Sequence, residues 1–387
     1  MKKRALLVAF TVVSACASHN ESFFEFDPRS LEKDSITLAQ FCDSIFYIPL
    51  DNNISLGLIH DNLKYNDKSF YFSSFEIGIL EFDRNGQYIR KIGSIGRGPG
   101  EYTYYTDFIF DENNNTIYVQ DRSDLIKVYS RSGNFIRSIS LQEADGSIEK
   151  IGFLNSKIFA FKNLQNGGSL FNWIVYDTLG NIIKTKNRTI PNFKCGWAGG
   201  CGTYIFESKL SYWNIYNDSV YSILPDLNYK ISFILKPGEH RLPYSDFEPS
   251  SLAQYMHIWQ ILETERFYTI LYTYKKPFFA LVDKRSRDSF LASLEFRSGS
   301  TGLNFIGGIC NDLDGGMEFL PKSYFQEKGR EYLVGIIYPY QIKIHVSCSK
   351  FINSIPKYPE KKKEFEKLAN TLMKTDNPVL MIVRLRK

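Results

Sequence analysis

The sequence predicts an all-β fold, a six-bladed β-propeller of four-stranded blades closed by a short C-terminal helix and a final strand. Three observations predict it. Short apolar runs separated by turn signals fill most of the chain, and helical periodicity is scarce. One pattern, an apolar strand, a four-residue turn ending in glycine and a second strand, recurs as ILEFDRNGQYIRKI from Ile79, IKVYSRSGNFIRSI from Ile126 and WIVYDTLGNIIKTK from Trp173. Its glycines, Gly86, Gly133 and Gly180, stand 47 residues apart both times. A period of about 40–50 residues holding four strands is the signature of a propeller blade. The 43% hydrophobic and 16% aromatic content supplies the core that such a ring must bury.

Taken in order, the chain opens with MKKRALLVAFTVVSAC. Lys2, Lys3 and Arg4 precede an apolar run from Ala5 to Val13. That run is far shorter than the roughly 20 residues a membrane-spanning helix needs, so it reads as a signal peptide core. Val13-Ser14-Ala15-Cys16 resembles the lipobox of bacterial lipoproteins, which implies a Cys16 acylated at its new N-terminus. The expected division is a signal peptide over 1–15, a lipid-anchored tether over 16–40 and the propeller over 41–387.

The blades follow. The turn glycines suit hairpins whose last turn residue needs positive φ. Further hairpins are expected around Asn66-Asp67, Asn113 to Asn115 and Asn155-Ser156, which gives each period about four strands. Decayed copies lie at Val220 to Leu235, around PDLN, and at Phe278 to Phe296. The expected blades span 56–93, 104–140, 147–188, 203–235 and 252–296. A sixth begins near Leu303 and takes in DLDGGMEFLPKS and YLVGIIYP. Phe365, Leu368, Ala369 and Leu372 then fall at helical spacing on one amphipathic helix, and Asp376-Asn377-Pro378 ends it. Val379 to Leu385 reads as a closing strand, pairing with the sixth blade or with Ser44 to Leu50 from the N-terminal side.

At this point the chain resembles the six-bladed, NHL-like β-propeller lipoproteins of Bacteroidota. The residues that carry the resemblance are DSIFYIPLDN, GSIGRGPGEY, the D-x-x-G hairpins, NDLDGG and DNPVLMIVRLRK. The resemblance covers nearly all of the mature chain. It implies a propeller in the cell envelope, in or at the outer membrane, and it implies no catalytic residues.

Charge and motifs limit the function. Without residues 1–15, 44 basic and 42 acidic residues remain, so no electrostatic case for nucleic acid exists. The glycine-rich GSIGRGPGEY invites a nucleotide reading, but Pro99 and Gly100 stand where a phosphate loop needs Lys and Ser or Thr. Strand rather than helix follows it, so the anion attraction of a helix N-terminus is missing. Gly96, Arg97, Gly98, Pro99, Gly100 and Glu101 therefore read as an interblade connector, with Arg97 and Glu101 expected to pair across it.

No cofactor is expected. His60, His240, His257 and His345 show no ligand spacing and read as surface or interface residues. Asp312 and Asp314 begin a calcium-loop pattern that fails beyond them, so calcium is unsupported and a tight hairpin serves equally well. Cys195 and Cys201 flank a glycine-rich turn, where a disulfide and two small buried residues are equally compatible. Core packing accounts for most aromatic residues; Trp197, Tyr102 and Tyr104, in glycine-rich loops, are the candidates for exposed contact. Asp-Ser/Thr-aliphatic tripeptides at Asp34, Asp43, Asp177 and Asp218 resemble a bacterial O-glycosylation motif.

The leading expectation is a lipid-anchored binding or scaffolding module for an envelope protein or glycan. The alternative is a metal-assisted hydrolase or lyase with its site at the channel mouth.

Overall fold

Blades 1 to 5 obey one local rule: apolar strands joined by short connections, so that consecutive strands pair antiparallel. The computed structural model describes residues 24–387 apart from 32–35, 57–58, 60–62, 67, 75, 104–106, 123, 143–145, 165–168, 197–199 and 300–301. Cys16 and its lipobox lie outside the described residues. Six sheets stand in a ring. Blade 1 comprises Lys64–Asn66, Ser69–Ser74, Gly78–Asp83 and Tyr88–Ile92, and blade 2 comprises Phe108–Asp111, Thr116–Arg122, Leu125–Ser130 and Phe135–Ser140. Blade 3 is Ile148–Leu154, Lys157–Lys162, Phe171–Tyr176 and Ile182–Asn187. Blade 4 is Cys201–Phe206, Lys209–Asn214, Ser219–Ile223 and Tyr229–Leu235. Blade 5 is His257–Glu263, Phe267–Tyr274, Lys276–Asp283 and Ser289–Ser293. In each of these five blades the first strand is innermost. Inner strands touch one another from blade 2 through blades 3 to 6 and on to blade 1, around a central channel.

The repeated turn glycines do more than turn. Gly86, Gly133 and Gly180 have φ of 80°, 87° and 94°, as the hairpins require. Each also packs on the preceding blade, where an added Cβ would lie 2.2–2.5 Å from the carbonyl oxygen of Pro49, Lys91 or Ser140. Each glycine carbonyl accepts an amide proton there, from Asp51, Gly93 and Gln142 respectively. The 47-residue spacing is thus the spacing of an interblade clasp.

Blade 6 closes the ring with strands from both ends of the chain. Ser323–Glu327 is innermost, followed by Arg330–Ile337, Val379–Leu385 and finally Cys42–Pro49. The closing strand therefore takes both partners expected for it, with Cys42 opposite Leu385 and Ile337 opposite Val379. Helix Pro359–Thr371 buries Phe365 and Ala369 in the cluster that holds Val379 and Met381. Two shorter helices, Pro339–Val346 and Ser349–Ile352, pack alongside and were not anticipated. Among the described residues, no helix is long and apolar enough to cross a membrane.

Two boundaries differ from expectation. The sixth blade does not begin near Leu303: Glu295–Gly299 and Gly302–Ile306 form a separate hairpin between blades 5 and 6. DLDGG is a turn held by side-chain hydrogen bonds, within itself and to the N-terminal segment, instead of by a ladder. Asp314 Oδ1 accepts from Asn311 Nδ2 at 2.6 Å, Gly316 N at 2.8 Å and the Tyr47 hydroxyl at 3.2 Å, while Asp312 Oδ1 accepts from Ala39 N at 2.8 Å.

The tether expected over 16–40 is the second correction. Phe24–Phe26 adds a fifth, parallel strand to blade 4, with Phe26 opposite Leu235. Phe26 is fully buried, edge-on to Tyr272 at 5.3 Å, and Leu38 and Phe41 are buried in the blade 6 cluster. These apolar side chains anchor the segment to the wall of the ring.

Candidate functional site

The central channel encloses about 670 Å³ and is lined by the inner strands of all six blades. Because these strands run in the same sense, their first residues gather at one end. That end carries Lys64 from blade 1, Asp107 just before blade 2, Lys150 from blade 3, Cys201 from blade 4, Trp259 and Gln260 from blade 5, and Lys322 before blade 6. Aliphatic residues, Ile109, Ile151 and Ile261, line the middle. Asp111, Glu112, Asn113 and Asn155 line the far end. One end is basic and the other acidic.

Lys64 binds the Asp107 carboxylate, and Lys150 feels the same charge without bonding to it. The Lys64 ammonium donates to Asp107 Oδ1 at 2.8 Å and to the Phe108 carbonyl. Asp107 Oδ1 is braced by Phe108 N at 2.9 Å. Burial pushes the Lys64 pKa down, against the pull of Asp107, and the nearby Lys150 charge adds to that fall. Burial also opposes charge on Lys150, yet the carboxylates of Asp107 and Glu149 nearby outweigh this and raise its pKa. Lys150 therefore stands as a cation in the channel wall, and it makes no hydrogen bond or ion pair with any described residue.

A register shift between Ile148 and Lys150 re-aims the start of blade 3. Glu149 reaches across to blade 4, where its Oε1 accepts from Cys201 N at 2.9 Å, while Lys150 faces the channel. Burial raises the Glu149 pKa, and its second oxygen, Oε2, is buried with no hydrogen-bond partner. Burial, helped by Glu149, pushes the Cys201 thiol well up, so it is no ready thiolate.

Trp259 supplies an aromatic wall on the opposite side. Its indole N–H donates to Thr273 Oγ1 at 2.7 Å, and its ring lies 5.5 Å from that of Phe305 in the inserted hairpin. The Lys322 ammonium sits 5.7 Å over the Phe305 ring. Tyr65, Tyr204 and Tyr324 complete the lining.

The residues singled out in the sequence lie elsewhere or act otherwise. GSIGRGPGEY does connect the outer strand of blade 1 to blade 2, but Arg97 is exposed and the expected pair with Glu101 does not form. Glu101 instead closes on its own loop: Oε2 accepts from Gly98 N at 2.8 Å, Oε1 from Ser94 Oγ at 3.3 Å, and the Arg97 amide helps. Those amides hold its carboxyl below the usual range. Fixed backbone N–H groups three residues away satisfy a carboxylate better than a long, solvated guanidinium. Pro99 and Gly100 offer carbonyls to Lys127 Nζ at 2.7 Å and the Tyr129 hydroxyl at 3.0 Å. The connector is a splint between blades.

Cys195 and Cys201 are both buried free thiols. The bridge considered for them is not formed, because Cys195 packs beside Phe193 and Tyr216 whereas Cys201 opens the inner strand of blade 4 beside Tyr212. Tyr102 is fully buried, its hydroxyl donating to the Ile92 carbonyl and accepting from Ile79 N. Tyr104, Trp197 and His60 lie outside the described residues. His257 is buried next to Trp259 rather than superficial, and burial lowers its pKa to about 3. Among the described residues, no group of three His, Cys, Asp or Glu side chains is placed to hold a metal ion.

The channel residues escaped the sequence reading, although a signal existed. Lys64, Asp107 and Lys150 are 43 residues apart both times, a second register inside the repeat. Charged residues at one blade position belong on the channel.

A family described as a domain of unknown function, DUF4934, matches residues 23–384. Among solved structures, a Bacteroides fragilis protein named "Putative exported protein" superposes with a TM-score of 0.66 at 18% identity, covering 94% of this chain and 99% of its own. A DUF4221 member from Bacteroides vulgatus matches at TM-score 0.47 and 13% identity over 89% of this chain and 97% of its own. Virginiamycin B lyase from Staphylococcus aureus matches at TM-score 0.38 and 11% identity, over 68% and 81%. No curated protein matches the sequence.

Proposed function

This chain belongs to the DUF4934 family, and from that premise we propose that it is an exported, lipid-anchored, NHL-like propeller serving as a binding module in the cell envelope. Its N-terminal sequence supports export and acylation of Cys16, and the fold neighbour named as exported is in keeping with this. The ligand is taken in the central channel. The observation that carries this reading is the channel itself: about 670 Å³, within the range of roughly 300–1,000 Å³ typical of ligand sites, with aliphatic walls and a few convergent polar groups at one end.

The test is a glycan array and thermal-shift screen on the purified propeller, with Thr203→Trp as the blocked control. Thr203 lines the channel, so the indole fills it from blade 4. Ligands that shift the wild type and fail with a folded Thr203→Trp support the reading. Unchanged binding by the blocked variant overturns it, and so does turnover of the bound compound.

A further inference from the structure

We propose that the helical layer between strands Arg330–Ile337 and Val379–Leu385 is a docking surface for an anionic lipid bilayer, and that it lays the anchored ring against the membrane by its blade 6 side. The proposal rests on the acylation of Cys16 and is independent of what the channel binds.

Positive charge and exposed apolar area coincide in this layer. Residues 338–378 hold eight lysines against four acidic residues, whereas the rest of the chain after residue 15 holds 36 basic against 38 acidic. Lys350, Lys357, Lys363, Lys367 and Lys374 are exposed. Four of the six most exposed large apolar side chains among the described residues lie in the same stretch. They are Ile355 at 94%, Met373 at 65%, Ile344 at 63% and Ile352 at 61%. Apolar side chains held in water gain free energy by entering a bilayer interface, while lysines beside them keep their charge among the headgroups.

The packing turns these groups outward together. Ile342, Phe351, Phe365 and Ala369 are buried in one cluster with Val379 and Met381, so the helices stand on one face of blade 6 with their opposite sides in solvent. Tyr340 and Ile344, one turn apart, are on the outer side of helix Pro339–Val346, and Lys363 and Lys367 on that of Pro359–Thr371. Lys343 Nζ donates to the Ala369 carbonyl at 3.0 Å and ties the two helices together. Lys362 Nζ donates to the carbonyls of Ile352 and Ser354 at 3.1 and 2.7 Å, which pins the loop leading to Ile355 beside them.

The chain leading to the layer selects lipid as the occupant. Phe24 follows Cys16 by eight positions, a reach of at most about 28 Å, against about 50 Å for the width of a ring of this size. An acylated Cys16 therefore keeps the ring close to the bilayer. Further along, Leu38 and Phe41 enter the cluster beneath the helices, and Leu38 N donates to the Cys310 carbonyl at 3.0 Å. A second copy docking through the same face would set like charge against like charge, whereas anionic headgroups neutralise it.

The experiment uses the chain from residue 17, which lacks the acyl anchor and keeps every described residue. It is co-sedimented with vesicles of phosphatidylcholine alone and of equal parts phosphatidylcholine and phosphatidylglycerol. Partition at least about tenfold stronger onto the anionic vesicles is expected, falling as salt is raised. Ile344→Ser with Ile355→Ser, and Lys363→Gln with Lys367→Gln, each lower it at least about fivefold at an unchanged melting profile, because all four side chains are exposed. Leu179→Ser removes a comparably exposed apolar side chain from the blade 3 hairpin and leaves partition unchanged. Equal partition onto both vesicles, no partition, or an equal loss with Leu179→Ser overturns the docking surface and leaves the anchor standing. Dimerisation abolished by Ile344→Ser with Ile355→Ser, without vesicle binding, overturns it in favour of a contact between copies. An intact mass of the full-length protein without acyl chains on Cys16 overturns the anchored reading and, with it, this proposal.

Discussion

Asn377 holds the amide of Leu56 at 3.0 Å through its side-chain oxygen, joining residues 321 positions apart. The same side chain donates to the carbonyls of Asp51 and Ile54, both at 2.6 Å, while its own amide donates to Asn52 Oδ1. One buried amide therefore fixes the loop that leaves the outer strand of blade 6 for blade 1.

Asn377→Ala leaves a buried N–H and two carbonyls unmet. Lost and unsatisfied hydrogen bonds of this kind cost about 1–3 kcal/mol each before relaxation and water entry. A loss of about 3 kcal/mol is expected in urea denaturation, with Asn377→Asp recovering only part because it lacks the amide donors.

Gly93→Ala tests the connector. Gly93 has φ of 61°, and an added Cβ would lie 2.5 Å from the Tyr129 ring. Strain and overpacking together predict about 2–4 kcal/mol of destabilisation. Glu101→Gln should also lower the denaturation midpoint, by weakening the grip on the loop amides. Binding of channel ligands is expected to stay unchanged in a folded Glu101→Gln; a loss of binding at unchanged stability would make the connector part of the site.

Phe26→Ala tests whether the segment before blade 6 belongs to the fold. Phe26 is fully buried against Tyr272, so truncation should cost about 3–5 kcal/mol. A midpoint shift below about 1 kcal/mol would mean that the fifth strand of blade 4 merely rests on the ring.

His257 sets a pH limit. Its pKa falls from about 6.5 in the unfolded chain to about 3 in the fold, so the unfolded state binds the extra proton between those values. Stability is unaffected above about pH 7 and declines as pH drops through 6.5, reaching a loss of about 2 kcal/mol by pH 5. His257→Gln should flatten the melting temperature between pH 7 and 5 relative to wild type. Parallel curves for the two proteins would refute the assignment.

The fold was legible because two physical periods are written into the chain. Strand alternation and the turns at Gly86, Gly133 and Gly180 mark the blades, and those glycines are held in place by positive φ and by the neighbouring blade. Where the clasp decays, as at Leu227 with φ of 66° in place of a glycine, the pattern fades though the hairpin persists. Blade 6 was blurred because its strands come from three separated stretches, with a hairpin and helices inserted between them. The channel site was hidden for another reason. Lys150 and Glu149 gain their meaning from Asp107 and Cys201 in neighbouring blades, and no local motif records a contact made around a ring.

The order in which the ring is assembled follows from its closure. Asp43 and Arg384, bonded at 2.6 Å, are 341 residues apart, and the strand that carries Asp43 is made long before its partner. Loop closure over such a distance grows only slowly in entropy, but non-local pairing slows folding. The four consecutive strands of each of blades 1 to 5 are local and form without waiting. The outermost strand of blade 6 must stay unpaired until Val379–Leu385 is available, so a chain emerging N-terminus first carries an open β edge until then. Cys42–Pro49 is made early but settles late, and nascent chains cut short before residue 379 should be the forms most prone to aggregate.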